Sequence, residues 1–139
     1  MGIAAIVLIA GSFYLGILLF RKYRKEGNSF ILASALGLTI GSILTLIVAG
    51  KLGSLPQNAV APEGVAQVPV LGWYLNGQDM RVPHFFATHM MQILPLYGLW
   101  LHKKASENEN SRHLYWLSGI YALCALALFA YSWVLITAL

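Results

Sequence analysis

Residues 2–20 carry no charge, and neither do residues 29–50. Two more apolar segments follow at 83–102 and 114–138, separated from the first pair and from each other by polar stretches. Each segment has about the 20 residues that a helix needs to cross the hydrocarbon of a bilayer. The pattern predicts an all-α integral membrane protein, a single domain over 1–139 with four transmembrane helices. The first segment has no Lys or Arg ahead of Arg21. A cleavable signal peptide begins with positive charge, so this segment reads as a retained helix.

Within the second segment Ala33, Gly37, Gly41, Thr45 and Ala49 recur at every fourth position. That spacing sets small residues along one helix face, where a neighbouring backbone can come close. Ala33, Gly37, Gly41 and Thr45 are accordingly the candidate helix-packing residues. The third segment opens on Pro83, which suits the first turn of a helix. Pro95 lies deep inside it and is expected to bend the helix, since it cannot bond the carbonyl of Met91.

Residues 51–82 are too long for a bare loop in a compact protein. Gly53, Pro56, Pro62, Gly64 and Pro69 interrupt regular structure there, and Trp73-Tyr74 suits the aromatic belt at a membrane surface. The stretch is expected to form an interfacial cap over the outer helix ends.

Composition agrees with a lipid-facing chain: 58% of residues are hydrophobic and 10% charged. A soluble domain carries about 25% charge. The net charge of +4 would otherwise suggest nucleic acid. Here the basic residues flank apolar runs, which is a topology signal, and no nucleic-acid partner is expected. Arg21, Lys22, Arg24, Lys25, Lys103, Lys104 and Arg112 would share one side of a four-span protein, against Lys51 and Arg81 on the other. The bias places loops 21–27 and 103–113 in the cytoplasm and both termini outside. The lone cysteine, Cys124, lies in an apolar run and reads as a buried filler.

Chemistry is concentrated in Asp79-Met-Arg-Val-Pro-His-Phe-Phe-Ala-Thr-His-Met-Met-Gln92, at the outer end of the third segment. Polar groups are costly in hydrocarbon and need a partner or a purpose. Asp79, Arg81, His84, His89 and Gln92 are therefore the candidate ligand- or cofactor-binding residues. At about 100° per residue, His84 shares a face with Thr88 and Met91, while His89 points about 140° away toward Phe85 and Gln92. One metal ion held by both histidines is disfavoured, because i, i+4 is the productive spacing.

Three functional readings compete with a structural one. Haem b needs two axial imidazoles, and with none on the first two segments a second His would come from another chain. A quinone needs only polar groups near its carbonyls. Copper would use His84, His89, Met80 and Met91, since thioether and imidazole suit Cu(I). A proton path would need further polar steps below Pro95, and none precedes His102. Nothing supports hydrolysis or phosphoryl transfer: no nucleophile stands beside a base, and no carboxylate lies inside a span.

The string Asp79-Met-Arg-Val-Pro-His-Phe85, with His89, Gln92 and Pro95 after it and Gly72-Trp73 before it, resembles a motif of uncharacterised bacterial four-helix inner-membrane proteins. The resemblance covers some 25 residues. It implies a bacterial inner-membrane location and a site at these residues, with no activity attached.

The expectation is thus a multi-pass protein of the bilayer, a homo-oligomer or a subunit of a larger membrane complex. Its function would be that of a non-catalytic subunit or small-ligand-binding protein. The alternative is a redox protein holding haem b or quinone through the same residues.

Overall fold

The computed structural model describes residues 2–55, 64–103 and 107–138, with the backbone alone over 107–110. It is all-helical: α1 (Ile3–Glu26), α2 (Ser29–Leu52), α3 (Arg81–His102) and α4 (Glu107–Thr137). The cap expected over 51–82 falls partly outside the described residues, at 56–63, as does part of the second basic loop, at 104–106.

Hydropathy alone would end α1 at Phe20 and start α4 near residue 114. Both helices run further into their polar flanks, and the expected loops 21–27 and 103–113 are corrected accordingly. Charge marks where lipid must stop, whereas Lys, Arg and Glu are themselves good helix formers. What stops α1 is Gly27, left-handed at φ 69, whose N–H bonds the Tyr23 carbonyl at 2.8 Å. This is the position where glycine costs least. Asn28 then starts α2, its side chain accepting from the N–H groups of Phe30 (2.9 Å) and Ile31 (3.3 Å).

Side-chain bonds fix the directions of the helices. The Tyr23 hydroxyl near the end of α1 bonds Ser111 near the start of α4 at 2.8 Å. At the opposite end Lys51 of α2 lies 3.6 Å from the Trp133 ring of α4. Gln78, just before α3, donates to the Leu135 carbonyl at 3.4 Å. The helices therefore run alternately up and down.

α2 is the central helix and packs on α1, α3 and α4, while α1 packs along α2 and reaches α4 through the Tyr23–Ser111 bond. The small-residue row sits at the α2–α3 contact. A Cβ on Gly37 would lie 3.0 Å from the Met90 carbonyl and 3.2 Å from Pro95 Cδ; on Gly41 it would meet Met91 Cγ at 2.7 Å. Gly98 of α3 returns the arrangement, abutting Ala33. Only residues without bulk allow this approach, which lets many weak dispersion contacts form. α3 continues as helix through Pro95.

α1, α2 and the Ser111–Thr137 part of α4 are long and apolar enough to cross a membrane. α3 has the length, about 33 Å at 1.5 Å per residue, but His84, His89 and Gln92 dilute its apolar character. The outward faces are oily: Leu8 is 71% exposed, Trp116 68% and Leu123 68%. The core beneath them is Leu32, Leu36, Leu44, Val48, Met90, Leu94 and Leu114.

Candidate functional site

Between α2 and α3 the described chain, 64–80, folds back in a narrow hairpin. Val68 N–H bonds the Trp73 carbonyl at 2.8 Å, and Leu75 N–H bonds Ala66 at 3.0 Å. Gly77, at φ 81, lies against Tyr131 and leaves no room for a side chain. This fold-back delivers Asp79 to the start of α3.

Asp79 is 5% exposed, yet its carboxylate is fully employed. It accepts the Arg81 guanidinium at 2.6 and 2.8 Å, the Tyr74 N–H at 3.0 Å and the Arg81 N–H at 2.9 Å. The last bond also satisfies an otherwise orphaned donor in the first turn of α3. Burial alone would raise the pKa of Asp79. The Arg81 side chain and the two backbone donors outweigh it and hold the carboxyl below its ordinary value. Arg81 in turn reaches the Gly72 carbonyl at 2.7 Å and lies 5.1 Å from the Tyr74 ring. The pair is a clasp joining hairpin to helix.

Below the clasp lies a cleft of ≈ 990 Å³. One wall is α1, through Ala5, Leu8, Ile9 and Ser12; the second is α2, through Thr45, Ala49 and Leu52. The third is α3 with its approach, through Asp79, Met80, Arg81, His84, Thr88 and Met91, beneath Tyr74 and Gln78. The cleft exists because α1 packs on α2 and not on α3. His84, Thr88 and Met91 share it, as helical spacing requires.

Two wall residues each hold a polar atom that is closed off inside the protein and has no hydrogen-bond partner: His84 Nδ1 and Thr45 Oγ1. Thr45 is 3% exposed. Leaving such a group unbonded costs about 1–3 kcal/mol. By contrast the Thr88 hydroxyl is spent locally, donating to the carbonyls of His84 and Phe85 at 2.9 Å.

The five candidate residues do not converge. Asp79, Arg81 and His84 line the cleft, whereas His89 and Gln92 do not. The His89 ring stacks on Phe85 at 3.7 Å, and its Nδ1 bonds the Phe85 carbonyl at 2.8 Å. Since a carbonyl only accepts, Nδ1 carries the proton, which in the neutral imidazole leaves Nε2 as the acceptor. Phe85 is held from above by Trp73, edge-on at 5.0 Å. Gln92 is exposed, on the side of α3 away from α2.

This separation bears on the cofactor readings. His84 and His89 are on different faces of α3, so they offer no shared haem iron or copper ion. Met80 and His84 are one turn apart on the cleft face, but Met91 lies about 16 Å beyond Met80 along the axis. A single copper ion cannot take all three. Among the described residues no group of three His, Cys, Asp or Glu side chains could hold a metal ion.

Thr45 enters the site without having been singled out for it. In the sequence it looks like one more small residue in a packing row. The usable signal is that a hydroxyl interrupts a run otherwise made of glycine and alanine.

No protein-family model, curated protein or solved structure matches the chain.

Proposed function

We propose that the chain is a four-span membrane protein that binds a small ligand in the cleft between α1, α2 and α3. The observation that carries this reading is the pair of unbonded polar atoms, His84 Nδ1 and Thr45 Oγ1, in the walls of a large and mostly apolar cleft. A ligand toward which these two side chains turn supplies the bonds that they lack within the protein. Nothing in the arrangement calls for catalysis, and a non-catalytic binding or accessory role is the simplest use of it.

In this reading α3 is the fourth span, both termini lie outside, and the hairpin with its Asp79–Arg81 clasp caps the outer end of the cleft. The seven-to-two division of basic residues supports that orientation. The resemblance of the Asp79–Pro95 motif to bacterial inner-membrane proteins supports the cytoplasmic membrane as its location.

The test is to fill the cleft. Ala49 is buried in its α2 wall, and Ala49→Phe should displace whatever molecule co-purifies with the wild type. Mass spectrometry of the two gently solubilised proteins decides it. A wild type that carries the same small molecules as Ala49→Phe overturns the reading.

A second part of the proposal concerns Gln92. In a spanning α3 it lies about 16 Å below Arg81 along the helix, exposed to hydrocarbon. A carboxamide both donates and accepts, so its simplest partner is itself, in a second copy of the chain. His89 Nε2, one turn away, is a further acceptor for it. We propose a symmetric dimer through this face of α3.

A further inference from the structure

The charges around the cleft are already committed. Both oxygens of Asp79 take up Arg81, whose Nη2 also serves the Gly72 carbonyl. Lys51, the other cation at this end, lies over the Trp133 ring of α4. Lys51 keeps its charge there but does not line the cleft, so an anionic headgroup would find no unpaired cation in the walls and would lose its hydration on entering. What remains unsatisfied is neutral: a hydroxyl on Thr45 and a ring nitrogen on His84. Each can act as donor or acceptor by rotation or tautomer.

The walls describe the rest of the ligand. Ala5, Leu8 and Ile9 of α1 face Ala49 and Leu52 of α2, with no charged side chain among them. Because α1 does not pack on α3, the side of the cleft between α1 and α3 is not closed by helix packing. A molecule dissolved in the bilayer can reach the cleft through that side.

Resting on the ligand-binding reading above, we infer that the cleft takes an uncharged lipid-like molecule. Its carbonyl or hydroxyl head bonds Thr45 and His84, whose closed-off polar atoms turn toward the cleft to meet it, and its apolar body lies along α1. Quinones and neutral glycerides share this chemistry.

The experiment titrates the full-length protein in nanodiscs with decylubiquinone, with monoolein and with phosphatidylglycerol, in wild type and in Thr45→Val. Valine keeps the shape and removes only the hydroxyl. One neutral probe should bind more tightly than phosphatidylglycerol, and Thr45→Val should weaken it about fivefold to tenfold, the worth of one hydrogen bond. The same substitution should raise the melting temperature of the ligand-free protein, because it removes an unbonded buried hydroxyl. A purely structural role for Thr45 would not give these opposite signs.

Binding of decylubiquinone alone marks a quinone site, and of monoolein alone a glyceride site; either supports the inference. Preference for phosphatidylglycerol overturns it, as does unchanged affinity in Thr45→Val. If none of the three binds while Ala49→Phe still displaces a co-purifying molecule, the ligand class is wrong and the cleft reading stands. If Ala49→Phe displaces nothing, the cleft reading falls with it.

Discussion

The Arg81 guanidinium meets the Asp79 carboxylate at 2.6 Å across the junction between the hairpin and α3. The Asp79 side chain is 4% exposed and that of Arg81 45%. Asp79 also receives the backbone N–H groups of Tyr74 and Arg81, so its removal strands two donors. Asp79→Ala should lower stability by about 2–3 kcal/mol. Arg81 is half exposed, and its salt bridge is partly screened by water. Denaturant unfolding in detergent, followed by circular dichroism, measures the loss. A Asp79→Ala protein as stable as wild type would mean that the clasp carries nothing.

The same clasp predicts an acid limb. The folded-state pKa of Asp79 is held below its ordinary 3.8. The unfolded chain therefore takes up the proton first, and the folded state is favoured by the ionised form. This contribution is fully present above pH 3.8 and is lost as the pH falls through the folded value. Asp79→Asn should flatten that part of the stability profile. A profile unchanged by the substitution would assign the acid limb to other groups.

The α2–α3 seam makes a graded prediction. A Cβ on Gly37 meets the Met90 carbonyl and the Pro95 ring, neither of which can move freely. On Gly41 it meets Met91 Cγ at 2.7 Å, a side-chain carbon that can turn aside, while the nearest backbone atom, Met91 N, is 3.3 Å away. Gly37→Val should cost about 2–3 kcal/mol and Gly41→Ala less than half of that. Gly11, with open space around it, serves as the control. Gains at all three positions, which replacing a helical glycine gives by propensity alone, would show that contact is not in charge.

Topology rests on α3. Reporter fusions after Lys103 and at the C-terminus should report opposite sides of the membrane, with Lys103 inside. Fusions that report the same side would remove a span and with it the capped cleft.

Dimerisation through Gln92 is checked by cross-linking a cysteine at that position in a Cys124→Ser background. Gln92→Leu should shift the detergent-solubilised protein toward monomer, by about tenfold in the dissociation constant. A monomeric wild type, or a dimer indifferent to the substitution, ends the idea without touching the cleft.

How far the sequence carries the argument differs from residue to residue. The small row of α2 is legible because close helix approach requires small side chains at a fixed period, whatever the partner. The division of His84 from His89 is legible too, since it follows from 3.6 residues per turn. The clasp was readable as a chance, because Asp79 and Arg81 are near neighbours. What could not be read is that the hairpin would turn Gly72 and Tyr74 onto the same pair. A polar pocket at the outer end of α3 was expected, but its α1 wall was hidden: Ser12 and Leu8 reach the cleft only because α1 does not pack on α3, and no local pattern encodes that.

The sequence by itself determined the helices and their apolar character. Long uncharged runs bounded by basic residues make apolar helices, because a backbone in hydrocarbon must bond itself. It also determined where the polar groups stand along α3. Only the tertiary structure decided which of them share a site. Arg81 and His84 join Thr45 across the cleft, while His89 and Gln92 face away, because the small residues of α2 draw one face of α3 inward and leave the other outside. Periodicity sets which residues share a face, but contact between helices sets what that face meets.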